Sequence, residues 1–185
     1  KILDLAGGTG DITKLLSSKI KEKGQLILSD YNGKMLTEGR NRLIDSGINN
    51  VNYAQINAQK LPFKNKSFDL ITIAFGIRNF ADKKEALKAI FQCLKPGGSV
   101  MVLEFSKPQN SVLKELYDLY SFEVMPIIGD LITNSSESYS YLAESIRMHP
   151  DQEELKSIFE DCGFSDCNYQ NLMNGIVAIH KGYKA

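Results

Sequence analysis

Between Asp4 and Asp11 the chain reads "DLAGGTGD", three glycines in eight residues with a carboxylate at each end. A glycine-rich turn after an apolar strand ordinarily cradles a phosphate. Neither phosphate pattern is spelled here. A dinucleotide fingerprint beginning at Gly8 and Gly10 meets Thr13 where its third glycine belongs, and no Lys-Ser/Thr pair follows the turn. The acidic residues point to a cation instead. Asp30 closes the next apolar run, a position from which a carboxylate takes both hydroxyls of an adenosine ribose. Asp4 would repel a pyrophosphate but can hold an ammonium group, and the free N–H groups at the start of the following helix can take a carboxylate. A ligand with ribose, adenine, ammonium, carboxylate and sulfonium meets all of these demands, and S-adenosylmethionine is that ligand. Asp11 by itself reads as a helix-start residue that satisfies free N–H groups.

The elements that must position these groups alternate. "KILDL", "QLILSD", "VNYAQI", "SFDLITIAF" and "SVMVLEF" are short apolar strands. Between them lie helical stripes over Asp11 to Ile20, over Lys34 to Ser46, and around Ala86, Leu87, Ile90, Phe91 and Leu94, the last stopped by "KPGG". Strands and helices in alternation predict a doubly wound, mostly parallel sheet of Rossmann-like α/β class. A further helix is expected over Gln152 to Asp161. The last two strands, about Cys167 to Leu172 and Gly175 to Lys181, are joined by "MN", so short a link that the pair must be antiparallel. Residues 108–150 show helical potential and aromatics but no obvious strand, and read as a lid insertion within one domain spanning 1–185.

Composition narrows the classes. The chain has 185 residues, 43% hydrophobic and 24% charged, as an ordinary globular domain with a sizeable core. Lys+Arg and Asp+Glu stand at 22 each, so no net charge draws in nucleic acid. The run from Leu70 to Ile77 is too short to span a bilayer, and no signal-peptide pattern opens the chain. Cys93, Cys162 and Cys167 form no CxxC and cannot all pair, which suits reduced thiols in the cytoplasm. The chain enters a strand directly from Lys1, and the expectation is that an N-terminal segment is missing.

"ILDLAGGTGD", "NAQKLPF", "FDLITIAFGIRN", "LKPGG" and "YLAESIRMHP" stand in order along the chain. Together they resemble the UbiE/MenG family of class I methyltransferases, which act in ubiquinone and menaquinone biosynthesis. "LKPGG" is shared by many methyltransferases; "AFGIRN" and "YLAESIRMHP" are much more particular. The resemblance implies a class I methyltransferase fold, with Gly8, Thr9 and Asp30 as cofactor contacts and Asn57 and Ala58 beside the adenine. Where family members often carry Ser, this chain has Ala74, so any contact there passes through the backbone.

Methyl transfer from a sulfonium is an in-line displacement, and the protein mainly positions two reactants and excludes water. The chain lacks the Asn/Asp-Pro-Pro-aromatic stretch common in amine methylation and has "FGIRNF" in its place. Cys93 and Cys162 read as packing thiols, not as nucleophiles. A phenolic ring carbon needs no covalent catalyst, and only a reduced quinol is electron-rich enough to react. Arg78, with Asn79 beside it, is the first candidate to stabilise the phenolate, with water carrying off the proton. The plainer alternative for Arg78 is a pair with a carboxylate. His149, two residues after Arg147, is the alternative base, against the plainer reading of a turn residue before Pro150. His180 reads as a structural residue, and no metal site is implied.

The stripe from Leu116 to Met125 fits either a packed helix or an apolar passage for a polyprenyl tail. In a protein resembling this family, Tyr139, Tyr141 and Glu144, with Arg147, are expected to hold the quinol ring. A prenylated quinol implies brief docking at the inner face of a membrane. An N-terminal segment or partners, in a homodimer or a quinone-biosynthesis complex, would supply that contact. The competing readings are a methyltransferase of the same fold with another acceptor, and a scaffold subunit without activity.

Overall fold

The computed structural model describes residues 1–20, 24–108 and 136–185, with side chains in the last stretch from residue 141 onward. Among these residues seven strands form one sheet: β1 (Ile2–Leu5), β2 (Leu26–Asp30), β3 (Val51–Gln55), β4 (Phe68–Ala74), β5 (Leu94–Phe105), β6 (Ser165–Leu172) and β7 (Val177–Tyr183), in the order β3-β2-β1-β4-β5-β7-β6. β1 to β5 are parallel, while β7 runs antiparallel to both β5 and β6. This is the expected doubly wound, Rossmann-like class I architecture. The link between β6 and β7 is longer than two residues, but its tight part, Met173 and Asn174, has positive φ at both positions, the backbone that a tight hairpin demands.

The described helices are α1 (Asp11–Ser17), α2 (Gly33–Asp45), α3 (Lys83–Cys93), α4 (Ser136–Met148) and α5 (Gln152–Asp161). Their starts follow local chemistry. Asn32 caps α2 by accepting from the Lys34 and Met35 N–H groups, Asp82 caps α3, and Asp151 with Glu154 forms a reciprocal capping box at α5. "KPGG" is not the isolated stop expected for α3. The chain passes from Cys93 straight into β5, and the glycines sit where the register against β4 shifts between Phe68 and Leu70. The end of α3 is closed from a distance: Lys184 Nζ donates to the carbonyls of Phe91 (2.7 Å) and Leu94 (2.9 Å).

Both faces of the sheet are covered. Ile27 packs into the larger core with Ile71, Ile73, Leu87, Ile90 and Phe159, whereas its neighbours Leu26 and Leu28 join Leu36 and Leu43 on the other face. Cys93 and Cys162 are buried free thiols. His180 is buried, with Nε2 2.9 Å from the Gln152 carbonyl, the structural role expected of it. The lid region falls largely on residues 109–135, including the Leu116 to Met125 stripe, and so lies outside the described residues.

Candidate functional site

β1 and β4 are neighbours whose chains then run in opposite directions across the sheet, so strand order reverses between them. Ligands of open α/β sheets collect at the carboxyl ends of strands at such a point. A cavity of about 830 Å³ opens there, walled by the exits of β1, β2, β3 and β4, within the range that buries most of a drug-sized ligand.

The glycine turn forms one wall. Gly10 enters α1 with φ 82°, and no side chain caps that helix. Asp30, at the exit of β2, accepts the Gly8 N–H at 2.9 Å through Oδ2 and the Asn32 N–H at 2.8 Å through Oδ1. Each oxygen keeps a lone pair for a ligand hydroxyl, and the carboxylate is fixed before any ligand arrives. Gly8, Thr9, Asp30, Asn57, Ala58 and Ala74 all line this cavity, as does Asn79. The Ala74 methyl offers no hydroxyl, so only backbone groups can make a polar contact there.

Four expectations need correction. Asp4 does not reach the cavity. It is fully buried beneath the turn, where Oδ2 accepts from the Thr13 hydroxyl at 2.6 Å and Oδ1 from the Thr72 hydroxyl at 2.9 Å. Burial pushes its carboxyl up, while the two threonines hold it back. It braces the turn and does not grasp an ammonium group. Asp11 does not cap α1. It pairs with Arg42 Nη2 at 2.9 Å, and that hydrogen-bonded guanidinium holds its carboxyl below the usual range. Arg78 is not free for a phenolate. Its guanidinium donates to Glu104 Oε1 at 2.8 Å and to the Phe75 carbonyl, and its side chain does not line the cavity.

His149 is corrected with them. It is 3% exposed, sits off the cavity wall, and is pushed down to about 3 by burial, then by Lys83, His180, Arg78 and Lys107. A ring that refuses a proton at neutral pH makes a poor general base. On α4, the Tyr141 hydroxyl donates to Asn79 Oδ1 at 3.2 Å, which joins that helix to the 3-10 turn Ile77–Asn79 at the cavity edge. Glu144 and Arg147 are exposed on the same helix and off the wall, and the Tyr139 side chain lies outside the described residues.

Sequence reasoning passed over two residues. Glu104 is a buried carboxylate inside the apolar run "SVMVLEF", a signal that it needed a cation. Phe75 lines the cavity with φ 53°, and its place between a central strand and a glycine was the available clue.

Known proteins resemble the chain in sequence and in fold. A family model described as the ubiE/COQ5 methyltransferase family matches residues 1–184. The chain is 58% identical over 185 residues to a protein of Shewanella woodyi named ubiquinone/menaquinone biosynthesis C-methyltransferase UbiE, covering 100% of this chain and 74% of that one. A protein of the same name from Teredinibacter turnerae is 56% identical over 186 residues, with 100% and 75% covered. A SAM-dependent methyltransferase structure from Aquifex aeolicus superposes with TM-score 0.69 at 16% identity, covering 100% of this chain and 81% of that one. Phosphoethanolamine N-methyltransferase 2 of Haemonchus contortus, in complex with S-adenosyl-L-methionine, gives TM-score 0.72 at 16% identity, with 99% and 48% covered. At these identities the superpositions speak for the fold.

Proposed function

The chain belongs to the ubiE/COQ5 methyltransferase family, and we propose that it methylates a ring carbon of a polyprenylated quinol, a demethylmenaquinol, a benzoquinol or both. It is a C-methyltransferase, as its relatives' names state, and its family together with the SAM-dependent methyltransferase fold it shares supports S-adenosylmethionine as the methyl donor. When bound, S-adenosylmethionine supplies a methyl group on a positively charged sulfur. The observation that carries the reading is Asp30, preset by two backbone N–H groups at one end of a cavity whose other end holds Asn79 and Phe75.

The chain's own residues divide the work. Asp30 accepts the ribose hydroxyls, and Asn57 with Ala58 flanks the adenine where β3 exits. That places the reactive end of the ligand over β1 and β4, beside the turn that carries Asn79. Asn79, joined to the Tyr141 hydroxyl, orients a phenolic hydroxyl at the mouth. With its hydroxyl proton passed to a water, the ring carbon takes the methyl as the sulfur–methyl bond breaks. Loss of that carbon's own proton, with return of one to the oxygen, restores the quinol. This needs no covalent catalyst, only alignment.

A polyprenyl substrate calls for brief docking on a bilayer surface. Among the described residues no helix is long and apolar enough to cross a membrane. The test is methyl transfer from labelled S-adenosylmethionine to chemically reduced short-tail quinols, a benzoquinol and a naphthoquinol side by side. Labelled ring-methylated product is expected. No product from either acceptor, in protein that binds the cofactor, overturns the reading.

A further inference from the structure

Phe75 is held in a conformation that bulky side chains rarely adopt. Its φ is 53°, in the left-handed region, at the first residue past β4. Such a backbone persists only where neighbours impose it, and here both of its backbone polar groups are gripped. The Phe75 N–H donates to the Leu103 carbonyl of β5 at 2.8 Å, and the Phe75 carbonyl accepts from Arg78 Nη1. Arg78 is anchored in turn by Glu104, whose side chain is 1% exposed. The outcome is an aromatic ring on the cavity wall. One side rests on Phe105, with centroids 4.8 Å apart and planes at 48°, and the residue stays 38% exposed. The Arg78 guanidinium lies over the far ring, 5.4 Å from the Phe105 centroid.

A ring packed against a second ring, which itself carries a guanidinium over its face, offers an apolar surface to whatever enters. Flat aromatic partners gain most from such a surface, through offset stacking. We propose that Phe75 is the platform on which the acceptor's aromatic ring rests, and that Arg78, through the Phe75 carbonyl, is the positioning residue that keeps the platform turned into the cavity. This rests on the quinol reading above and deepens it. Asn79, four residues on, then meets the edge of the same ring while Phe75 meets its face.

The experiment has two arms. In wild-type protein with ring-labelled phenylalanine, nuclear Overhauser contacts are sought between the Phe75 ring and the ring protons of a bound short-tail quinol. Contacts are expected, and their absence under saturating acceptor overturns the platform. In the second arm, Phe75→Leu is expected to raise the acceptor KM about tenfold, the scale of one aromatic pair, with cofactor Kd within twofold. Phe75→Tyr, which keeps the ring, is expected to recover most of that loss. An acceptor KM within twofold of wild type for Phe75→Leu overturns the proposal. So does a loss spread equally over cofactor and acceptor, which marks Phe75 as packing alone. If ring contacts are seen but no methyl is transferred to any quinol, the reaction assignment falls and the platform stands.

Discussion

Arg78 and Glu104 grip each other twice, guanidinium to Oε1 at 2.8 Å and backbone N–H to Oε2 at 3.3 Å. The pair joins the turn after β4 to the exit of β5, and the Phe105 N–H adds a third bond to Oε1 at 2.9 Å. Burial pushes the Glu104 carboxyl up, and the neighbouring Arg78 charge holds it back.

Breaking one side of such a pair leaves the other charge buried without a partner. Glu104→Gln is therefore expected to cost about 3 kcal/mol in urea denaturation, and the double variant Arg78→Met/Glu104→Gln is expected to be more stable than the single one. The Arg78→Met single variant completes the cycle, and two single losses that simply add in the double variant would show that the pair carries no coupling.

His149 sets an acid limit on stability. Its ring is pushed down to about 3 from 6.5, so the unfolded chain takes up a proton that the folded one refuses. The contribution is complete above pH 6.5 and fades as pH falls towards 3, reaching a loss of about 2 kcal/mol at pH 5. Denaturation at pH 7 and pH 5 should show a steeper acid loss for wild type than for His149→Asn. The imidazole Cε1 proton should keep its neutral chemical shift down to pH 5.

Gly76 is where the acceptor turn meets the glycine turn. A Cβ there would lie 2.7 Å from the Ala6 Cβ, closer than two methyl carbons can approach. Gly76→Ala should push the two walls apart, raising the S-adenosylmethionine Kd and lowering stability by about 1–3 kcal/mol. Calorimetric titration together with thermal melts reads both effects.

Asp30→Asn replaces a carboxylate that accepts two backbone N–H groups by an amide with one acceptor oxygen. Cofactor affinity should fall about tenfold or more, with a smaller loss of stability. An unchanged Kd in titration would remove Asp30 from the nucleoside site.

What the sequence revealed was local. α5 is bounded at Gln152–Asp161 as expected, because the apolar stripe that marks it lies within one short segment. The place of Asp30 and the glycine turn on the cavity wall was legible for the same reason, since each follows directly from a strand exit. The readings that failed depend on partners distant in sequence. Whether Asp4 faces a ligand is decided by Thr13 and Thr72, and Thr72 reaches it only because β4 pairs with β1. Arg78 had open choices until β5 brought Glu104 beside it. His149 read as titratable because nothing near it in sequence shows that the fold buries it, nor that Lys83 and Lys107 add their charges beside it.

The order β3-β2-β1-β4 also governs how the molecule comes into being. Ile2 pairs with Leu70, so the floor of the cavity closes only when a loop of about seventy residues has been drawn shut. Contacts of such sequence separation slow folding. A nascent segment carrying the glycine turn alone has nothing with which to grip a nucleoside. The small molecule can reward the finished sheet by mass action, but it cannot serve as the template on which that sheet assembles.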